Sequence, residues 1–162
     1  METHPVRKRI RLPVNLYHRS GAYFITICTR NRENLFWNEG GVGAALRRPP
    51  DCLSAYGRIT ATEIDRIGEI YSGFVEVDHA VVMPNHVHLL LSIHLESEDD
   101  PTTPGLSRVI NQFKGSVSKR IGFSCWQKSF HDHIVRNEDD YREIWTYIDN
   151  NPAKWNEDRY YL

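Results

Sequence analysis

The chain has 162 residues, 40% of them hydrophobic and 25% charged, with a net charge of −1. That length suits one domain with a real core, and the near-neutral balance means that any nucleic-acid-binding surface has to be local. Three scattered cysteines, Cys28, Cys52 and Cys125, lack C-x-x-C spacing, which argues against a disulfide framework or a zinc knuckle and fits a reducing cytoplasm. No apolar run approaches the roughly 18 residues of a membrane span, and the basic N-terminal stretch lacks the apolar centre of a signal peptide.

Residues 1–20 read as a basic arm, in which Arg7, Lys8, Arg9 and Arg11 either sit in solvent or track phosphates. Residues 22–29 are β-branched and aromatic and predict a first strand, ended by Arg30-Asn31-Arg32. Residues 38–56 hold several glycines and Pro49-Pro50, a loop signature. From Gly57 to Tyr71, Ile59, Ile64, Ile67 and Ile70 recur at helical spacing, with Glu63, Asp65, Arg66 and Glu69 on the polar side. Residues 74–83 predict a second strand. Pro84-Asn85 makes a tight turn, and His86–Ile93 returns antiparallel as a third strand.

An acidic, proline-bearing loop over 95–105 leads to a second helix over 106–121. Val109, Ile110, Phe113 and Val117 form its apolar stripe, and Arg108, Lys114, Lys119 and Arg120 make it basic. Residues 125–135 predict a fourth strand. Asn137 is placed to cap a third helix whose first turn is acidic, and Pro152 predicts its end at Asn151. The order β-α-β-β-α-β followed by a helix predicts an α+β, ferredoxin-like fold. This is a four-stranded antiparallel sheet with two helices on one face and the other face partly open.

The chemistry is concentrated in Met83-Pro84-Asn85-His86-Val87-His88 and in the last helix. Alternate strand residues share a face, so His86 and His88 point together while Val87, Leu89, Leu91 and Ile93 point into a core. Two imidazoles so placed can hold one divalent cation, although an isolated His-x-His is more often structural. Tyr147 and Asn151 are four residues apart and share one helix face. An Asn carbonyl suits Mg²⁺ or Mn²⁺ and imidazole suits Mn²⁺. A tyrosine hydroxyl beside a metal can act as a nucleophile where the site stabilises its phenolate. The plain alternatives are an interfacial aromatic for Tyr147 and a helix cap for Asn151.

MPNHVHLLL and WQKSFHDHIVRNEDDYREIWTYIDNNPAKW resemble the single-tyrosine HUH transposases of small bacterial insertion sequences. The resemblance is greatest to REP-associated tyrosine transposases, which share the Tyr-Ile-x-x-Asn-Pro ending of the last helix, and it runs from about Tyr23 to Trp155. It implies that His86, His88 and Asn151 hold Mg²⁺ or Mn²⁺. It implies further that Tyr147 attacks a backbone phosphate of single-stranded or hairpin DNA, leaving a 5′-phosphotyrosine and a free 3′-hydroxyl. No P-loop is present and no nucleotide cofactor is expected.

The implied organisation is a basic arm over 1–20, one transposase domain over 21–155 and a short tail over 156–162. The expected location is a bacterial cytoplasm, with nucleoid association when DNA is bound. Lys114, Lys119, Lys128 and the N-terminal arm are candidate phosphate contacts, and Trp126 is a candidate stacking platform. His131-Asp132-His133 is a second His-x-His, centred on an acid. His133 has a counterpart in the resembling sequences and is a candidate DNA contact. The chain runs ten residues past Pro152, so tail-borne DNA contacts are not expected. A homodimer and a monomer are both compatible with the sequence. The alternative to an enzyme is a catalytically silent, domesticated transposase that binds DNA hairpins.

Overall fold

The computed structural model describes residues 19–38, 51–96 and 104–160. Strand β1 (Gly21–Cys28) leads through a short 3₁₀ turn to helix α1 (Ala55–Ile70). Strands β2 (Val75–Val82) and β3 (His86–Ile93) form the hairpin, followed by α2 (Leu106–Ile121), β4 (His131–Ile134) and α3 (Glu138–Asn150). A 3₁₀ segment, Pro152–Glu157, follows α3. The strand order is β2-β3-β1-β4, antiparallel throughout, as the ferredoxin-like arrangement requires.

Alternation decides the two faces of the sheet. Tyr23, Ile25 and Ile27 of β1 and Val87, Leu89, Leu91 and Ile93 of β3 are buried in one cluster with Ile64, Ile67, Val109, Ile110, Phe113 and Val117 of α1 and α2. Each fully buried aliphatic side chain there contributes about 1.5–3 kcal/mol. Opposite faces of β1 and β3 put Phe24, Thr26, His86 and His88 on the other side.

Helix α1 begins at Ala55, two residues before its apolar periodicity suggests, because the Ser54 side chain accepts a hydrogen bond from the Gly57 N–H. Gly57 has to be glycine, since a Cβ there would meet the Phe36 carbonyl oxygen at 2.1 Å. Glu63 is not on the solvent side of α1 as its charge suggests. It is buried and accepts from Arg66 and from Arg120 of α2, tying the two helices together.

Two further expectations change. The fourth strand is shorter than residues 125–135. Trp126 bridges Thr29, but Lys114 Nζ then takes the carbonyls of Gln127 and Lys128, turning them out of the ladder until His131. The face expected to be open is covered by α3 and by the segment after it. Asn137 caps α3 by accepting from the Asp140 N–H. At its other end His79 of β2 stacks on Trp145, with ring centroids 4.3 Å apart, and bonds Asp149 at 2.7 Å. Ile144 and Ile148 are buried beneath the helix.

Candidate active site

His86 and His88 are 0% and 1% exposed. Their Nε2 atoms lie 3.1 Å apart. The opposite ring nitrogens are held by neighbours. Asn85 donates from its amide nitrogen to the carbonyls of Tyr160 (2.8 Å) and Arg32 (3.3 Å), which fixes its orientation. Its Oδ1 therefore faces His86 Nδ1 at 2.8 Å and accepts the proton there. That leaves a lone pair on His86 Nε2, the tautomer of a metal ligand. His88 Nδ1 lies 2.8 Å from the Thr26 hydroxyl, which can either donate or accept.

Both rings are neutral. Burial lowers the pKa of His86 to about 3, with Arg159 and Arg32 adding to the effect. Burial, with His86 and Arg159, likewise holds His88 well below its ordinary value. Neutral imidazole is the ligating form.

An oxygen of Asp158 joins the two nitrogens, and Asn151 lies next to it. Asp158 Oδ2 lies 3.8 Å from His86 Nε2, and His86, His88 and Asp158 offer ligand atoms all within 4.8 Å of one another. Asp158 Oδ2 and Asn151 Oδ1 are both buried without a hydrogen-bond partner. Buried acceptors left unpaired cost free energy, so Asp158 Oδ2 beside the imidazole pair, with the Asn151 side chain hydrogen-bonded to Asp158, fits a divalent cation. Two imidazole nitrogens and a carboxylate oxygen, with an amide oxygen next to the carboxylate, suit Mn²⁺ or Mg²⁺. Burial raises the Asp158 pKa, against the Tyr160 N–H, Arg159 and Asn151, which favour the carboxylate. Asp158 carries no sequence signal of its own. It lies beyond the helix, in the stretch read as a tail, and only the turn after Pro152 returns it to the histidines.

Tyr147 projects from α3 over the same face, its ring centroid 5.3 Å from His88 and 5.9 Å from Phe24 of its own chain. It is 43% exposed. Burial of its inner edge raises its pKa, and Asp158 adds to this, while Asn151 and Arg159 oppose it. The hydroxyl is therefore a phenol at neutral pH. A cleft of about 500 Å³, lined in part by Phe24, His88, Glu143, Tyr147 and Arg159, opens beside it. Tyr160 closes the other side of the pair, its ring 4.6 Å from that of His86.

No protein-family profile matches the chain. It is 30% identical over 176 residues to an uncharacterized protein of Haemophilus influenzae, covering 96% of this chain and 93% of that one. It is 32% identical over 79 residues to the REP-associated tyrosine transposase of Escherichia coli, a match that spans 49% of this chain and 45% of the relative. The fold superposes with a TM-score of 0.59 on a REP-associated tyrosine transposase bound to a REP hairpin, at 23% identity over 85% of this chain and 69% of that one. The chain shares the fold of that transposase, and half of it is similar in sequence to the Escherichia coli one.

The structure brings His86, His88, Tyr147 and Asn151 to one face, and of the expected DNA contacts among the described residues it places His133 on that face as well. Trp126 is no stacking platform: it is 5% exposed and packed between Phe36 and Phe113. Lys114 is engaged with loop carbonyls, and both it and Lys119 belong to α2, across the sheet from the histidines. Lys128 is exposed on the loop before β4. His133 bonds Asp140 at 2.9 Å. Arg7, Lys8, Arg9 and Arg11 lie outside the described residues. No helix among the described residues is long and apolar enough to cross a membrane.

Proposed function

We propose that the protein cleaves and rejoins single-stranded or hairpin DNA through a covalent 5′-phosphotyrosine, with Tyr147 as the nucleophile. The observation that supports this most directly is the convergence of Tyr147 on a buried His86–His88 pair flanked by the unpartnered Oδ2 of Asp158. His86, His88 and Asn151, joined by Asp158, would hold Mg²⁺ or Mn²⁺. When bound, the cation neutralises charge on the oxygens of the scissile phosphate.

The Tyr147 oxygen attacks phosphorus, and the new O–P bond forms as the P–O3′ bond breaks. The phenol proton passes to water at the exposed edge of the ring, and the departing 3′ oxygen takes a proton from solvent. Phe24 packs edge-on against the Tyr147 ring and limits its rotation. Asn151 and Arg159 favour the phenolate as it develops. The phosphotyrosine conserves the energy of the broken bond, so a 3′-hydroxyl can later displace Tyr147 and reseal the strand. The tyrosine and the histidines belong to one chain, which supports action as a monomer; the proposed place of action is the bacterial cytoplasm, at the nucleoid when DNA is bound.

The test is to incubate the protein with hairpin DNA and Mn²⁺ and to look for a covalent protein–DNA adduct. The adduct is expected to disappear in chelator and in Tyr147→Phe. Cleavage that survives Tyr147→Phe would assign the attack to water. Hairpin binding with no cleavage under any of these conditions would make the protein a silent binder.

A further inference from the structure

At the end of β1 the chain turns through Arg30, Asn31 and Arg32 beside a concavity of about 640 Å³, completed by Trp126, Gln127 and Lys128. Three cationic side chains line it and, among the described residues, no acidic one does. The clefts beside Tyr147 are different, their walls mixing Asp140, Glu143, Glu157 and Asp158 with Lys154 and Arg159. Arg30, Arg32 and Lys128 are exposed.

The turn is held in a costly conformation. Asn31 and Arg32 both take left-handed backbone angles, φ 54° and 55°, uncommon for residues with a side chain. Neighbours impose it. The Arg30 N–H donates to the Cys125 carbonyl at 2.7 Å, and the Thr29 N–H donates to the Asn85 carbonyl at 2.9 Å. The Thr29 hydroxyl donates to the Glu33 carbonyl at 2.8 Å, and the Asn85 amide donates to the Arg32 carbonyl. Strain maintained in this way clusters at ligand clamps. Asn85 also orients His86, so one side chain sets both the basic turn and the metal-ligand tautomer. Arg32 lies 5.5 Å from the Tyr160 ring, which itself packs on His86.

We propose that this concavity is a subsite for a backbone phosphate of single-stranded DNA, bound by Arg30, Arg32 and Lys128 beside the histidine site and distinct from it. The proposal rests on the reading of the protein as a DNA strand transferase. Guanidinium forks match phosphate oxygens in pairs of hydrogen bonds. Arg30 uses one nitrogen on Ser124 Oγ at 3.2 Å, which steadies the fork over the concavity. A phosphate held there carries no sequence information. It sets the register of the strand, and so decides which phosphate reaches Tyr147.

The test uses the full chain with Tyr147→Phe, in chelator, so that neither cleavage nor metal enters. Binding of an oligothymidylate strand and of a hairpin with a single-stranded flank is titrated over a range of salt. The comparison is with Arg30→Gln/Arg32→Gln/Lys128→Gln in the same background. Affinity is expected to fall at least about 10-fold, and the slope of log K against log salt by about 0.7 for each phosphate contact removed. Should the triple variant not fold, the exposed single variants Arg30→Gln and Lys128→Gln decide, each expected to lower the slope. Unchanged affinity and slope in variants that melt like the parent overturn the subsite and leave the tyrosine chemistry standing. A parent that binds neither oligonucleotide overturns both. Displacement of the strand by polyglutamate as readily as by DNA of equal charge overturns the assignment to nucleic acid.

Discussion

Two His-x-His pairs flank β1 on the same face of the sheet, and their surroundings differ. Thr26 stands opposite His88 on one side and His131 on the other. His86 and His88 lie on a central strand under α3 and the Asp158–Tyr160 turn, with every ring nitrogen facing a partner. His131 and His133 lie on an edge strand; His131 is exposed and His133 pairs with Asp140. The difference begins with the residue between the histidines. Val87 is buried and holds its strand in the core, whereas Asp132 is unsuited to that burial. A shared spacing therefore leads to a buried pair beside a carboxylate in one place and a more exposed pair in the other. Burial, and neighbours that choose the tautomer, make the distinction.

The sharpest way to break this comparison is to remove one histidine from each pair. His88→Ala is expected to abolish Mn²⁺-dependent adduct formation on hairpin DNA, while His131→Ala and His133→Ala change its rate only a few-fold. Equal losses from the two pairs would mean that β4 also belongs to the cation site.

Removing an orienting group has a smaller effect. Asn85→Ala frees the His86 ring and leaves the Tyr160 carbonyl unpaired. Metal affinity, measured by isothermal titration with Mn²⁺, is expected to fall about 10–100-fold. The same change is expected to cost about 1–3 kcal/mol of stability in chelator. Thr26→Val should act in the same direction through His88, with less loss because Thr26 serves one ring nitrogen.

The mildest effect is on pH dependence in chelator. His86 is held down to about 3, whereas an unfolded histidine titrates near about 6.5. Between those values the unfolded chain binds more protons than the folded one. The stability from the neutral pair is therefore fully present above pH about 6.5 and is lost as pH falls toward about 3. The Tm should decline through that window and decline less in His86→Gln. A parent profile no steeper than that of the variant would show that the pair is reached by water.

Much of this was legible in the chain because it depends on local pattern. Period-two alternation marks β3 from His86 to Ile93, and helical periodicity with flanking glycines marks α2 from Leu106 to Ile121. The four-residue spacing of Tyr147 and Asn151 puts them on one helix face wherever the helix packs. What was not legible depends on partners distant in sequence. Glu63 looks like a solvent residue until Arg120 is brought to it. Trp126 looks like a platform until Phe36 and Phe113 enclose it.

The sequence by itself determined the order of elements, which strand faces are apolar, and the pairing of His86 with His88 and of Tyr147 with Asn151, because short-range periodicity decides these. The tertiary structure alone decided that the histidine face is covered, that Asp158 and Tyr160 return to it, and that Asn85 joins the imidazole pair to the Arg30–Arg32 turn. Those contacts span up to 75 residues, and no local preference specifies them. They form where a buried polar group must find its partner once the sheet and helices have packed.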